Sequence, residues 1–157
     1  MEHRFIADAM LGRLARWMRL LGFDVLYYPD IEDARLVALS REQGRSIITR
    51  DTLLLKRKGL NNPIFIASDN VFDQLCEVLE RPDCNPAGLA GRCSICNGEL
   101  TAVLIKASVQ DRVPEHVYRS FDNFTQCADC LKIYWEGSHY KKIREKLGTA
   151  LDAGGNN

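Results

Sequence analysis

Hydrophobic and polar positions follow two different periods along the first 80 residues of the chain. Short apolar runs rich in β-branched and aromatic residues predict four strands, at 3–8, 23–28, 45–49 and 63–67. Apolar residues at helical spacing predict the helices that alternate with them, at 9–22, 33–44, 51–59 and 70–80. Repeated strand–helix units predict an α/β fold, with a parallel sheet covered by helices on both faces.

The pattern changes after the last of these helices. The sequence RPDCNPAGLAGR, residues 81–92, has two prolines and two glycines and predicts a linker, in which Cys84 is expected to be partly exposed. Strand-like segments and a basic helix follow it. We therefore predict an α/β domain over 1–81, a linker over 82–91, a small domain with a C-terminal basic helix over 92–148, and a disordered tail over 149–157.

Cysteine spacing indicates a metal site in the second half of the chain. Four of the six cysteines form two Cys-x2-Cys pairs separated by thirty residues: Cys93 with Cys96, and Cys127 with Cys130. Two such pairs close a tetrahedral Zn²⁺ site. A redox dithiol is the alternative for one pair, but it does not need a second pair. Because four thiolates leave no position for a substrate water, the pattern predicts a structural zinc ion.

The charge balance limits which partners the chain can bind. Lys and Arg total 21, as do Asp and Glu, so the formal net charge is zero. Residues 1–90 hold 12 basic and 13 acidic side chains, and residues 91–157 hold 9 and 8. Neither part is a polycation, so contact with nucleic acid must rely on local patches. No signal peptide and no membrane-spanning run is evident, and we expect a cytoplasmic protein that does not enter membranes.

Three aspartates, Asp8, Asp33 and Asp51, each stand just before or at the start of a predicted helix. Taken singly, each suits an N-cap or first-turn position, where Asp is favoured. Taken together, they suggest a site. Asp8 and Asp51 follow strands, and the carboxyl ends of parallel strands lie along one edge of the sheet, where ligands bind.

Carboxylates gathered at such an edge repel one another unless a cation neutralises them. Carboxylate oxygens suit Mg²⁺ or Mn²⁺, which activate water and support phosphodiester hydrolysis. Asp30 or Glu32 can replace Asp33 in this role, and Asp69 follows the fourth strand. The predicted catalytic residues are Asp8, Asp33, Asp51 and Asp69.

The first predicted helix has an apolar face that begins at Met10, beside a stripe of arginines at 13, 16 and 19. Such a stripe is either a solvated face or a phosphate contact. Gly12 weakens the first turn of this helix, and close approach of a ligand or a neighbouring residue would explain it. With two cations near Asp51, the predicted substrate-binding residues are Arg13, Arg16, Arg50 and Lys56.

Three segments together resemble a known family. FIADAMLGRLARWMRLLGFDV, then TRD, then the cysteine pairs with CADCLKIYWEGSHYKKI, resemble the Mut-seven C-terminal RNase family over residues 4 to 147. That resemblance implies a PIN-like nuclease domain with an appended zinc ribbon, and metal-dependent ribonuclease activity. By it, Asp8, Asp33 and Asp51 match family acids, whereas the mid-chain acid of fuller PIN domains has no counterpart.

Two functional hypotheses follow from these patterns. The first is a metal-dependent ribonuclease that hydrolyses RNA phosphodiester bonds with Mg²⁺ or Mn²⁺ held by the acids, beside a structural zinc ion. The alternative is a non-catalytic zinc-ribbon protein that binds RNA or the ribosome, in which the acids only cap helices.

Overall fold

We describe residues 4–86 and 90–154 of a computed structural model of the chain. The chain divides into two compact units, Met1–Asn97 and Gly98–Asn157. The domain boundaries expected from the sequence, at 1–81, 82–91, 92–148 and 149–157, remain predictions. No helix in the described ranges is both long enough and apolar enough to cross a bilayer.

The first unit contains a four-stranded sheet whose paired strands all run parallel. The strand order is β2-β1-β3-β4, so the chain starts at an inner strand, and the connection from the second strand to the third passes over the first. This confirms the predicted α/β class. The strands are β1 (Arg4–Ala7), β2 (Asp24–Tyr27), β3 (Ser46–Thr49) and β4 (Ile64–Phe65).

The first three helices of this unit contact the sheet, and the fourth packs against the first. They are α1 (Gly12–Leu20), α2 (Asp33–Gln43), α3 (Thr52–Leu55) and α4 (Val71–Leu79). Ile6 and Ile47, one residue from each inner strand, are fully buried in a cluster with Leu36 and Leu39 of α2 and Leu54 of α3. Ile6 and Ile47 lie two residues before Asp8 and Thr49, so the cluster is near the carboxyl ends of the two inner strands.

The segment after β1 departs from the predicted single helix. A short 3-10 turn, Ala9–Leu11, precedes α1. A 3-10 turn has three residues per turn, which breaks the helical spacing counted from Met10. Met10 is 68% exposed, so its placement on the apolar face was wrong. The close approach at Gly12 is with Tyr27, whose hydroxyl oxygen would lie 2.7 Å from an added Cβ.

The second unit contains a three-stranded antiparallel sheet in the order β5-β6-β7. Val109, Val117, Phe124 and Ile133 form its small core, with Trp135 packed against them. Helix α6 runs to Gly154, and residues 155–157 of the predicted disordered tail lie outside the described residues. The elements are β5 (Leu100–Ala102), α5 (Glu115–Ser120), β6 (Thr125–Cys127), β7 (Ile133–Tyr134) and α6 (Ser138–Gly154).

Candidate active site and metal centre

Thr49, the last residue of β3, connects two of the predicted acids. Its hydroxyl donates a hydrogen bond to Asp8 Oδ2 at 2.8 Å and accepts one from the Asp51 backbone N–H at 2.9 Å. The Asp8 backbone N–H also donates to Ile48 O at 2.9 Å, which continues the parallel ladder past the end of β1. Asp8 and Asp51 therefore both contact Thr49 at the carboxyl edge of the sheet, Asp8 through its carboxylate and Asp51 through its backbone N–H.

The two acids differ in how they use their side chains. Asp51 is the N-cap of α3, and its Oδ1 accepts a hydrogen bond from the Leu53 backbone N–H at 2.8 Å. Asp8 precedes the 3-10 turn without capping it through its side chain, and it is only 8% exposed. Capping thus accounts for one oxygen of Asp51, whereas the buried carboxylate of Asp8 makes a tertiary hydrogen bond instead.

Asp33 and Asp69 have other surroundings. Asp33 is the first residue of α2, and its carboxylate forms an ion pair with Arg57 at 3.3 Å, with both side chains partly exposed. Asp69 is exposed in the loop between β4 and α4, where the neighbouring Asn70 is the cap of α4. Neither Asp33 nor Asp69 takes part in the two hydrogen bonds that join Thr49 to Asp8 and Asp51.

The predicted substrate-binding residues occupy two different places. Arg13 and Arg16 are exposed on α1. Arg50 directly follows Thr49 and donates to Ala67 O at 3.4 Å, and exposed Lys56 ends α3. Arg19, expected in an exposed stripe, is only 5% exposed, so that expectation was wrong.

Two residues that stabilise this edge were missed by sequence reasoning. One is Thr49. The other is Glu77 of α4, whose two carboxylate oxygens accept hydrogen bonds from the backbone N–H groups of Ala67 and Ser68, each at 2.8 Å. Burial raises the pKa of Glu77, but hydrogen bonds from Ser68 and Ala67 outweigh it and hold the pKa below its ordinary value. The contacts of Thr49 with Asp8 and of Glu77 with Ala67 and Ser68 join separate parts of the fold, so no local sequence pattern signals them.

Among the described residues, one group of three or more His, Cys, Asp or Glu ligand atoms lies close enough to hold a metal ion. It consists of the four predicted cysteines, whose ligand atoms all lie within 4.8 Å of one another. Four thiolates at Zn–S distances of about 2.3 Å need sulfur atoms about 3.8 Å apart, and this spacing falls inside that limit. The donor set therefore fits zinc. The members are Cys93, Cys96, Cys127 and Cys130.

The two Cys-x2-Cys turns share one backbone geometry. In each, the residue after the second cysteine has a left-handed conformation, with φ 66° at Asn97 and φ 65° at Leu131. In each, that residue donates its N–H to the carbonyl of the first cysteine, at 2.9 Å to Cys93 and 3.1 Å to Cys127. Leucine rarely adopts this conformation, so the turn at Leu131 is maintained by its surroundings.

The buried guanidinium of Arg19 holds the first of these turns against β2. It donates to Val25 O at 2.8 Å, to Ser94 O at 3.0 Å and to Ile95 O at 3.2 Å. Two of these acceptors, Ser94 and Ile95, lie between Cys93 and Cys96 in the first cysteine turn. Burial lowers the pKa of Arg19, and the charges of Cys93 and Cys96 act in the opposite direction.

Asn97 makes a second connection from the same turn to β2. Its Oδ1 accepts from the Val25 backbone N–H at 3.1 Å, and its Nδ2 donates to Asp24 Oδ1 at 2.7 Å. Arg45, only 4% exposed, also donates to both carboxylate oxygens of Asp24, at 2.8 and 3.2 Å. A side chain that follows the Cys93–Cys96 turn therefore supplies a hydrogen-bond acceptor for the backbone of the edge strand β2.

The two other cysteines lie apart from this cluster. Cys84 is only 1% exposed, so the expected partial exposure was wrong. Burial raises the pKa of its thiol to about 11. Cys76 of α4 is half-buried, and burial raises its pKa as well.

A parallel α/β unit with an acidic pair at its carboxyl edge, combined with four clustered cysteines, defines an α/β protein with a zinc-ribbon type of cysteine site. More specifically, the chain belongs to the Mut7-C RNAse domain family, whose model matches residues 3–147. The family is nuclease-like, and the match confirms the resemblance found in the sequence. No curated protein and no solved structure matches the chain.

Proposed function

We propose that this protein is a metal-dependent ribonuclease whose active site is built around Asp8 and Asp51. The observation that carries the proposal is the pair of hydrogen bonds at Thr49, whose hydroxyl contacts the buried carboxylate of Asp8 and the backbone N–H of Asp51 at the carboxyl edge of the sheet. Ligands bind at this edge in open α/β sheets. Membership of a family described as an RNAse domain supports RNA as the substrate.

The acidic pair suits a divalent cation. Asp8 is only 8% exposed, and burying an ionised carboxylate is costly unless a positive charge compensates it. The hydrogen bonds from Thr49 and Leu53 each use one oxygen, so each carboxylate has a second oxygen for a metal ligand. When bound, Mg²⁺ or Mn²⁺ lowers the pKa of water and stabilises charge that develops on a phosphodiester.

Asp33 is the proposed third acid, and its ion pair does not prevent that role. Half-exposed ion pairs such as the one between Asp33 and Arg57 contribute about 0–1 kcal/mol, so a cation and a phosphate can replace them. Asp33 would then help to hold the cation, and Arg57 would be free to contact the phosphate. Asp69 assists from the β4–α4 loop, and the proposed phosphate contacts are Arg13, Arg16, Arg50 and Lys56.

The cysteine cluster has a structural role in this proposal. Four thiolates complete the coordination of zinc, so no position is left for a substrate water. Zinc would hold the turn that carries Asn97 against β2, and so stabilise the edge strand next to Asp8. A cytoplasmic location remains a prediction.

The test is cleavage of labelled single-stranded RNA by zinc-loaded protein, with Mn²⁺, with Mg²⁺, or with no added divalent cation. Asp8→Asn and Asp51→Asn are compared with Asp122→Asn, a matched change of an exposed aspartate paired with Lys106 in the second unit. We expect cutting that requires added metal, is lost in the first two variants and persists in the third. Cutting by folded Asp8→Asn at the wild-type rate contradicts the proposal.

A second candidate is a non-catalytic RNA-binding protein, and two observations favour it. Asp51 caps α3 and Asp33 pairs with Arg57, so both have structural partners. Under this alternative, wild-type protein binds RNA in a salt-dependent way but does not cut it with any metal. The same cleavage experiment, with a binding measurement beside it, separates the two candidates.

A further inference from the structure

Four residues stand level with one another at the carboxyl edge of the sheet, each at the end of a strand or directly after it. Thr49 pairs in register with Phe65. Ala7 pairs with both Tyr27 and Ile48, so the next residues along these strands complete the same level. Side chains at one level of a parallel sheet project to one face. In strand order, the row is Tyr28, Asp8, Thr49 and Phe65.

The row has a buried centre and exposed ends. Asp8 and Thr49 are 8% and 0% exposed, whereas Tyr28 and Phe65 are each 46% exposed. Tyr28 directly follows the edge strand β2 and Phe65 ends the edge strand β4, on either side of the hydrogen-bonded Asp8–Thr49 pair. An exposed aromatic ring is a platform on which a nucleic-acid base can stack.

The distance across the row determines what kind of strand can touch both rings. Three strand spacings separate β2 from β4, which is about 14 Å. Stacked bases follow one another at about 3.4 Å, so the two rings are about four stacked steps apart. A strand that reaches both rings therefore passes its intervening phosphates over Asp8 and Thr49.

Positive charge lies beside the row. Arg50 follows Thr49 directly, and three more cations, at 56, 57 and 58, follow α3. Of residues 50–58, only Asp51 is acidic. Aromatic rings with adjacent cations are the combination that binds single-stranded nucleic acid, the rings contacting bases and the cations contacting phosphates.

We propose that Tyr28 and Phe65 are base-stacking residues, and that the substrate is a single-stranded RNA laid across the strand ends from β2 to β4. The bases of a duplex are already stacked and paired, so their faces cannot reach the two rings. The inference deepens the proposed function and rests on it for the role of the acids between the rings. It restricts the substrate class to unpaired strands.

Binding tests the inference separately from cleavage. Affinity for a short labelled pyrimidine RNA is measured by fluorescence anisotropy at low salt, with zinc-loaded protein and no added Mg²⁺ or Mn²⁺. Tyr28→Ala and Phe65→Ala are each expected to weaken binding by about 5- to 100-fold. Tyr28→Phe and Phe65→Tyr keep a ring and are expected to bind like wild type. Leu104→Ala, at a 93% exposed leucine in the second unit, is the matched control and is expected to have no effect.

Several results would overturn the inference. These are wild-type affinity in both alanine variants, equal affinity of wild type for the matching duplex, or no binding of single strands at low salt. Ring-dependent binding of single strands without metal-dependent cutting supports the stacking residues and contradicts only the proposed ribonuclease activity. The two proposals can therefore fail separately.

Discussion

Thr49 donates its hydroxyl hydrogen to Asp8 Oδ2 at 2.8 Å across a sequence separation of 41 residues. The same hydroxyl oxygen accepts the Asp51 backbone N–H at 2.9 Å. One fully buried side chain thus sets the position of a carboxylate on β1 and of the first turn of α3. This relationship makes Thr49 a positioning residue for the proposed site.

Replacing Thr49 tests that role. Thr49→Val keeps the shape but removes both hydrogen bonds, so Asp8 loses a buried partner and the Asp51 N–H loses its acceptor. We expect a loss of about 1–3 kcal/mol in the free energy of unfolding, measured by urea denaturation. Thr49→Ser keeps the hydroxyl and is expected to retain the wild-type rate of RNA cleavage, whereas Thr49→Val is expected to lower that rate. Equal stability of the valine variant would show that the hydrogen bonds contribute little.

Arg19 is expected to stabilise both β2 and the cysteine turn. Arg19→Met leaves the carbonyls of Val25, Ser94 and Ile95 without their charged donor, which we expect to cost about 2–4 kcal/mol. Zinc affinity, measured by competition with a chromogenic chelator, is expected to fall by about 10- to 100-fold. Arg16→Met, an exposed position on the same helix, is the matched control and should change neither quantity. Unchanged zinc affinity in the Arg19 variant would contradict a role of Arg19 in stabilising the cysteine turn.

The stability of the first unit is expected to depend on pH through Asp24. Burial raises its pKa, but hydrogen bonds from Arg45 and Asn97 outweigh burial, and the folded-state pKa lies below the ordinary value of 3.8. A depressed folded-state pKa adds stability above the unfolded-state pKa, and this stability is lost as the pH falls through the folded-state pKa. Asp24→Asn lacks this contribution.

The stability difference between wild type and Asp24→Asn should therefore be constant above about pH 4 and shrink at lower pH. Urea denaturation at a series of acidic pH values measures it. Asp122→Asn, an exposed aspartate, serves as the control for general charge effects. A stability difference that grows as the pH falls would contradict a folded-state pKa of Asp24 below its ordinary value.

Cysteine replacement and labelling should separate the cluster from the other thiols. Metal analysis is expected to find one zinc ion per chain, lost in Cys93→Ser or Cys130→Ser and retained in Cys76→Ser.

At about pH 8, some three units below the pKa of Cys84, about one thiol in a thousand is ionised. Cys84 should therefore resist iodoacetamide in folded protein and react after denaturation. Rapid labelling of Cys84 in folded protein would contradict its burial.

Local patterns in the sequence were sufficient for the strands of the first unit and for the four-cysteine cluster. Strand and helix periods depend on near neighbours, so the four strands were predicted to within two residues at their ends. Gly22 and Gly44 end the first two helices, with φ 106° and 63°. The cysteine pairs carry their ligand geometry in a spacing of three residues, and the structure brings all four sulfur atoms together.

The tertiary structure alone decided which polar groups meet. Thr49 contacts Asp8 because strand order places β3 beside β1, and no local pattern specifies that neighbour. Arg19 looked like part of an exposed stripe, yet its acceptors lie 75 and 76 residues further along the chain. Hydrogen-bond partners at such separations depend on register and on how the elements pack. Helical and strand periods, by contrast, depend only on the geometry of the local backbone.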